Sequence, residues 1–186
     1  MNIRERQILK GSRVILVPLE KKHLCKRVEF INDPEVQATL NFDYPTSIAK
    51  TEAWFSKNVL SPNRIDFAIE TADGDIVGFV GYINIDKAIK KAEHYIFIGK
   101  TFWSCGYGHE TYKLITNYGF IELGLNRVYG YQLGHNHKAR NLITKIGWSV
   151  EGFLRDDIYS HGEIKGRSII SILRNEWIVN PVYDDV

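Results

Sequence analysis

The spacing of hydrophobic residues predicts a strand followed by two helices in the first third of the chain. Residues 13–19 form a short β-rich run that ends at a proline. Apolar residues then recur at helical spacing over about 20–31, and Asn32-Asp33-Pro34 stops that helix. Residues 45–47 offer an N-cap for a second helix over 48–59.

The rest of the chain mixes strand and helix periods. Residues 66–71, 76–85 and 92–98 predict an antiparallel meander, whose first turn is the hairpin signal at 72–75. A helix over 106–123, a strand over 127–133 and a helix over 136–146 follow. Two last strands, over 148–159 and 163–173, turn at 160–162. Helices among consecutive strands indicate a mixed α/β or α+β sheet. The strand–helix–strand unit over 92–133 should be parallel and right-handed.

Composition favours a single folded domain over residues 1–186. The chain has 44% hydrophobic and 12% aromatic residues, which excludes a disordered or collagen-like protein. A net charge of +2 argues against nucleic acid or an anionic membrane as the main partner. Cys25 and Cys105 lack the spacing of a zinc site or a disulfide framework, so we expect no metal. No leader or membrane span is evident, which predicts a cytoplasmic protein.

A glycine-containing loop between a strand and a helix is the most informative segment. Gly106 and Gly108 precede the helix over 106–123, and backbone N–H groups at such a helix start suit a pyrophosphate. Packing alone also explains glycines there. A P-loop is excluded because no Gly-Lys-Ser/Thr is present, and Thr111 stands where a dinucleotide fingerprint has its third glycine.

This segment resembles motif A of the GNAT acyl-CoA N-acyltransferases, in particular the RimJ/RimL-type branch of ribosomal-protein N-acetyltransferases. Residues 136–152 resemble the family's second motif, residues 152–156 and 170–177 its closing hairpin, and residues 32–36 its N-terminal helix break. The resemblance therefore covers nearly the whole chain in order. In motif A the residues in register are Ala92, Glu93, Phe102, Trp103, Gly106, Tyr107 and Glu110.

The resemblance implies a GNAT fold, with a central twisted, mostly antiparallel sheet that contains one splayed parallel strand pair and is flanked by helices. It implies an enzyme that moves an acetyl group from acetyl-CoA to a primary amine by direct attack. The acceptor is a protein N-terminus or a small amine such as a polyamine, an aminoglycoside or an amino sugar. A homodimer is compatible with the family.

The family's coenzyme site maps onto two strands and the glycine loop. Pantetheine would lie between strands at about 95–99 and 128–133, and pyrophosphate would meet N–H groups of the loop. Asn136 would contact the pantetheine arm or simply cap its helix, and Arg140 would meet an adenosine phosphate or remain solvated. The other implied coenzyme residues are Phe97, Ile98, Gly99, Ser104, Cys105, Gly106, Tyr107, Gly108 and His109.

Proton transfer is less clearly implied. Ile143 occupies the position where many relatives have a tyrosine acid, which leaves Tyr131, His135 and His94 as nearby candidates. Glu93 is the first candidate base because it lies on the coenzyme strand. Its alternative role is an ion pair with a cation such as Arg127 or Lys91.

Two other functions compete with acetylation. The missing tyrosine at Ile143 would suit a catalytically idle acyl-CoA sensor, and 24 basic residues with many aromatic ones could suit a nucleic-acid binder. The segments expected to bind the acceptor, about residues 20–60 and 148–173, are those about which the sequence says least. An acid-rich lining there would favour polycationic acceptors. The acidic residues considered for that lining are Asp43, Asp66, Asp73, Asp156 and Asp157.

Overall fold

One eight-stranded sheet forms the centre of the computed structural model, which describes residues 9–133, 137–160 and 162–178. In chain order the strands are β1 (Leu9–Lys10), β2 (Val14–Pro18), β3 (Ile65–Thr71), β4 (Ile76–Asp86), β5 (Lys91–Ile98), β6 (Arg127–Leu133), β7 (Ser149–Ser160) and β8 (Glu163–Leu173). Their spatial order is β1-β2-β3-β4-β5-β6-β8-β7. The β5–β6 pair is parallel and the other neighbours are antiparallel, which confirms the predicted sheet.

Helices cover the sheet, and two of their starts show why the sequence folds locally as it does. Ser47 Oγ accepts from the N–H of Lys50 at 3.1 Å, so the predicted cap is confirmed. Asp33 ends one helix and starts another, because its Oδ1 accepts from the N–H groups of Glu35 and Val36. The helices are α1 (Leu24–Asn32), α2 (Pro34–Gln37), α3 (Ile48–Asn58), α4 (Tyr107–Ile121), α5 (His137–Lys145) and α6 (Arg174–Ile178).

The sheet has a hydrophobic core on each face, because successive side chains of a strand point to opposite sides. On β3, Phe67 and Ile69 belong to the core that includes α4 residues, whereas Ala68 belongs to the core under α1. Phe67 meets Tyr118 of α4 edge to face at 5.4 Å. The central strands are thus buried on both faces, and a ligand can enter the sheet only where strands separate.

Candidate active site

The parallel strands β5 and β6 pair only at their starts. Lys91, Ala92 and Glu93 pair with Arg127, Val128 and Tyr129, and the described residues show no β5–β6 pairing beyond that point. β5 stays paired with β4 as far as Ile98. The gap between the diverging strands opens into a cavity of about 1010 Å³. Its size is at the upper end of ordinary ligand sites.

The backbone groups of β5 alternate between β4 and this gap. The N–H of Gly99 donates to Val77 on the β4 side at 2.9 Å, and the Phe97 carbonyl also faces β4, close to Gly78. Since the register is regular here, Ile96 and Ile98 direct their N–H and C=O groups to the gap. The strand therefore offers a peptide-like ligand the hydrogen-bonding groups that β6 leaves unused.

The glycine loop lies next to this gap. Ser104 and Gly106 have left-handed backbone conformations, with φ of 64° and 85°, and α4 begins at Tyr107. Its first intrahelical bond is donated by the Glu110 N–H to Gly106 at 3.3 Å, so the preceding N–H groups have no partner within the helix. Together with the positive end of the helix dipole, these N–H groups suit an anion.

Two side chains hold the loop in place. The indole N–H of Trp103 donates to the carbonyl of Ile98 at 2.8 Å, which ties the loop to the end of β5. Arg13 Nη1 donates to the carbonyl of Cys105 at 3.1 Å. Trp103 stands where the wider family has arginine or glutamine, and here it positions the backbone. The sequence motifs gave no sign of Arg13, because it lies on a distant part of the chain.

Glu110 joins the first turn of α4 to the start of β2. One of its carboxylate oxygens accepts from the N–H and hydroxyl of Ser12 at 2.5 and 2.7 Å. The other accepts from the N–H groups of Arg13 and Val14 at 2.9 and 3.0 Å. Burial raises the pKa of Glu110, but these hydrogen bonds outweigh it and hold the pKa below its usual value.

The opposite end of the cavity is built around Asp66, which sequence analysis considered, and other side chains that it did not. Arg27 of α1 lies among aromatic rings, with its guanidinium carbon 4.4 Å from the ring centre of Trp54. Arg64 binds both oxygens of Asp66, at 2.7 and 2.9 Å, and the hydroxyl of Tyr95 donates to the same carboxylate. Arg27, Trp54, Arg64 and Tyr95 all line the cavity. No motif could reveal them, because they come from four separate segments.

Comparison with known proteins assigns the chain to one enzyme family. A model of the acetyltransferase (GNAT) domain matches residues 13–149, about three quarters of the chain. The chain belongs to this family. This GNAT protein is an acetyl-CoA-dependent N-acetyltransferase.

Named N-acetyltransferases are similar to this chain in sequence, and one is similar in structure. The Escherichia coli K12 spermidine N(1)-acetyltransferase is 25% identical over 165 residues, covering 89% of this chain and 88% of its own. A Bacillus subtilis protein named as a candidate ribosomal N-acetyltransferase, YdaF, is 33% identical over 105 residues, 56% of this chain and 57% of its own. The Vibrio cholerae spermidine N-acetyltransferase, crystallised with CoA and spermine, superposes with a TM-score of 0.85. It is 23% identical and the match covers 90% of this chain and 99% of that one, which establishes the GNAT fold.

Most of the implied coenzyme residues lie at the cavity. Phe97 and Ile98 of β5 line it, and so do four residues of the loop and early α4, namely Ser104, Gly106, Gly108 and His109. Burial and the nearby Lys113 lower the pKa of His109.

The remaining implied coenzyme residues have other contacts or lie elsewhere. Gly99 packs against Phe30, Tyr107 packs edge to face on Phe102, and Cys105 is exposed. Arg140 Nη2 donates to Ser168 Oγ at 2.7 Å, so its guanidinium is directed to β8. Asn136 and His135 fall outside the described residues.

Glu93 and Tyr131 both line the cavity near the point where the strands diverge. Glu93 accepts a hydrogen bond from Asn84 Nδ2 at 2.8 Å, an amide partner in place of the cation considered from sequence. Arg127, one of those cations, instead binds both oxygens of Glu151, at 2.6 and 2.5 Å. Glu93 remains the first predicted base, and Tyr131 remains one of the predicted acids, together with His135.

His94 lines the cavity as an uncharged imidazole. It is buried between Tyr112 and Trp148, with ring centres 4.7 and 5.4 Å away. Burial lowers its pKa to about 3, so the imidazole is uncharged near neutral pH. Ile143 is fully buried in the core and supplies no proton.

The acidic residues considered for an acceptor site are mostly engaged or distant. Asp43 lines the cavity but pairs with Lys50 at 3.1 Å. Asp66 is held by Arg64, and Asp157 pairs with Arg167 at 2.5 Å. Among the residues that the structure describes, no cluster of potential metal ligands occurs, and no helix has the length and apolar character to cross a membrane.

Proposed function

We propose that the chain acetylates a primary amine by direct attack on the thioester of acetyl-CoA held between β5 and β6. The observation that carries this proposal is the loss of β5–β6 pairing after Glu93 and Tyr129, in a cavity that reaches both the glycine loop and the Arg27 side. Holding both substrates in one cavity turns a bimolecular encounter into a local reaction. The domain would span the whole chain, because one sheet takes strands from Leu9 to Leu173.

In this proposal backbone groups hold the coenzyme. The N–H and C=O groups of Ile96 and the N–H of Ile98 bind the pantetheine amides and stabilise the oxyanion. The unpaired N–H groups from Ser104 to His109 bind the pyrophosphate. This assignment shifts the contact expected for Phe97 to its neighbours on the strand, because the carbonyl of Phe97 faces β4.

The reaction forms a C–N bond and breaks a C–S bond. Glu93 accepts a proton from the acceptor ammonium, directly or through water, which leaves a neutral amine to attack the thioester. Tyr131 donates a proton to the departing thiolate and regains one from the new C–N nitrogen. The neutral His94 forms part of the wall and keeps charge and water away from the reacting atoms. Cys105 is exposed and has no role in the transfer.

Two acceptor classes have support, one from the names of relatives and one from the sequence motif. Polyamines are the substrates that the names of the Escherichia coli and Vibrio cholerae enzymes state, and protein N-termini fit the RimJ/RimL-type motif at residues 92–110. Both are primary amines, so the chemistry of transfer is common to them.

Thiol release from acetyl-CoA in the presence of a mixed panel of amines and N-terminal peptides tests the proposal. Amine-dependent release of CoA is expected, together with heat of acetyl-CoA binding in calorimetry. Binding without thiol release for any acceptor would instead favour the idle acyl-CoA module that Ile143 suggested. Absence of binding would reject the coenzyme site.

A further inference from the structure

Arg27 is a buried cation at the acceptor end of the cavity. Its residue surface is 4% exposed, and four aromatic rings surround its guanidinium carbon. The ring centres of Trp54, Phe97, Phe79 and Phe42 lie at 4.4, 5.1, 5.4 and 5.8 Å. Ring faces stabilise a cation but accept few hydrogen bonds, so this environment leaves the donors of a guanidinium available.

One of these donors has no partner. Arg27 Nη1 is almost fully covered and makes no hydrogen bond to any described residue. The nearby carboxylate, Asp66, already accepts from Arg64 and from Tyr95. Burial lowers the pKa of Arg27, and Tyr95 and Asp66 offset part of that effect, but a guanidinium stays charged at neutral pH. The cluster thus has two cations and one carboxylate, and an unpaired buried donor is costly.

Positive charges outnumber negative charges on the described wall of the cavity. The described cavity wall has two carboxylates, Asp43 and Glu93, and five cations, Arg27, Lys50, Arg64, Lys145 and Arg167. Three of the cations have carboxylate partners, since Lys50, Arg64 and Arg167 pair with Asp43, Asp66 and Asp157. Among the described residues, Arg27 has no ion pair of its own. A polyamine would bring further positive charges to this wall, and like charges at short range repel. The charge balance therefore favours an acceptor whose far end is negative.

We infer that the acceptor is an amine that also carries a carboxylate, and that Arg27 binds this carboxylate. This inference rests on the proposed acetyl transfer and narrows its substrate. Phe97 of β5 packs on Arg27, with its ring centre 5.1 Å from the guanidinium carbon, so an acceptor of amino-acid size would place its carboxylate at Arg27 and its amine towards β5. Phe42, in the 38–47 connection, is half-buried, with its ring centre 5.8 Å from the guanidinium carbon, and in this proposal its ring moves aside to admit the carboxylate.

Matched acceptor pairs test the inference. Glycine, β-alanine and 4-aminobutyrate are compared with their carboxamides, with spermidine as the polycation, by thiol release from acetyl-CoA. One charge-assisted hydrogen-bonded contact is expected to raise kcat/KM for the best carboxylate at least about tenfold over its amide. In Arg27→Met this ratio falls to about one. Methionine fills a similar volume without a buried charge, so folding should persist.

Lys26→Met is the matched control, because it removes one positive charge from the adjacent, more exposed position of α1, where Lys26 pairs with Glu29. The control should keep the wild-type ratio. Equal or better turnover of carboxamides or spermidine by the wild type would overturn the inference while leaving acetyl transfer intact.

A second measurement decides the anion site even if no acceptor turns over, a result that would reject the proposed catalysis. Calorimetry in the presence of CoA compares N-acetylglycine with N-acetylglycinamide, the products of the shortest pair, and repeats the comparison for β-alanine and 4-aminobutyrate. Tighter binding of an acid than of its amide in the wild type, lost in Arg27→Met and kept in Lys26→Met, supports the inference. Equal binding of acid and amide in all three pairs overturns it.

Discussion

The two ends of the cavity are built from different kinds of chemical group. The coenzyme end consists mainly of backbone: the gap-facing groups of Ile96 and Ile98 and the unpaired N–H groups at the start of α4. The acceptor end consists of side chains, with Arg27, Arg64 and Trp54 brought together from distant segments. One end depends on strand register and glycine conformation, and the other on which side chains happen to meet.

This difference explains why coenzyme use and acceptor choice can vary independently. A backbone site tolerates changes of side chain as long as the loop keeps its conformation, so it suits a cosubstrate shared by a whole family. A side-chain site changes its charge with a single substitution. Glu93 and His94 lie at the junction between the two ends. We therefore expect variants at this junction and at the coenzyme end to change the rate of acetylation equally for every acceptor. Arg27 variants should change only the preference among acceptors.

The largest expected effect is at the junction of the two ends. Glu93→Gln should lower kcat about a hundredfold for every acceptor, the scale of a general base. Glutamine still offers an oxygen to the Asn84 amide, so a purely structural Glu93 would tolerate this change. Steady-state kinetics with saturating acetyl-CoA measure the effect, and thermal unfolding checks that the fold is kept.

Asn84→Ala serves as the companion variant, because it removes the partner of Glu93 and leaves the carboxylate. Its kcat should fall by only a few-fold. A kcat for Glu93→Gln within threefold of wild type would contradict the assignment of Glu93 as the base. Glu93 would then have a structural role only.

The pH dependence of stability at His94 tests whether water is excluded from the junction. Its folded pKa of about 3 lies below the unfolded value near 6.5, so the unfolded chain takes up a proton first as the pH falls. Stability should be full above about pH 7.5 and should have decreased by about 2 kcal/mol at about pH 5. The groups packed on His94 are Tyr82, Tyr112 and Trp148, which do not titrate in this range.

Denaturant titrations at several pH values, compared with His94→Leu, isolate this contribution. The variant should lack the acid-side slope, and its offset from wild type should be constant between pH 7 and 8. Parallel curves for the two proteins from pH 7 down to pH 5 would show that the imidazole gains a proton freely and that the junction is wet.

The coenzyme end should respond to backbone strain. In Gly106→Ala a side chain must adopt φ near 85° and its Cβ would lie 3.1 Å from Arg13 Nη1. A left-handed residue costs about 1–2 kcal/mol, so the affinity for acetyl-CoA should fall about tenfold as the loop shifts. Calorimetric titration with acetyl-CoA measures it.

Gly124→Ala is the matched control. Gly124 also has positive φ, at 63°, but has open space around it and does not line the cavity. It should lose similar stability and keep the wild-type affinity. Equal affinity in both variants would mean that the loop backbone does not bind the coenzyme.

Sequence patterns predicted the sheet because its signals are local and repeated. The bounds of β6 and β8 agree with the predicted 127–133 and 163–173, and the glycine loop was found because glycines there have a specific backbone role. The two-residue β1 and the short α2 and α6 were missed, since hydrophobic periodicity needs more residues than they contain.

The acceptor end could not be predicted for a different reason. Arg27 looked like one more polar residue on a helix, and its burial depends on Trp54 and Phe42, which reach it from other segments. The register of β5 directs the backbone N–H and C=O groups of Ile96, rather than those of Phe97, to the gap. This register depends on pairing with β4. Both are tertiary facts, and sequence patterns describe neighbours along the chain.

The smallest expected effect concerns the link between the glycine loop and the rest of the sheet. Glu110→Gln keeps a hydrogen-bond acceptor but removes the charge that binds three backbone N–H groups, those of Ser12, Arg13 and Val14. It should cost on the order of 1 kcal/mol, a decrease in Tm of about 2–4 °C. Because the carboxylate has a lowered pKa, this contribution is present above the unfolded value near 4.3. It disappears as the pH falls through the folded value, so the stabilities of the two proteins should converge in acid.

Glu29→Gln, which removes an exposed pair with Lys26, is the control and should shift Tm by well under 1 °C. If Glu110→Gln lowered acetyl-CoA affinity as much as Gly106→Ala, the coenzyme end would depend on a side chain after all.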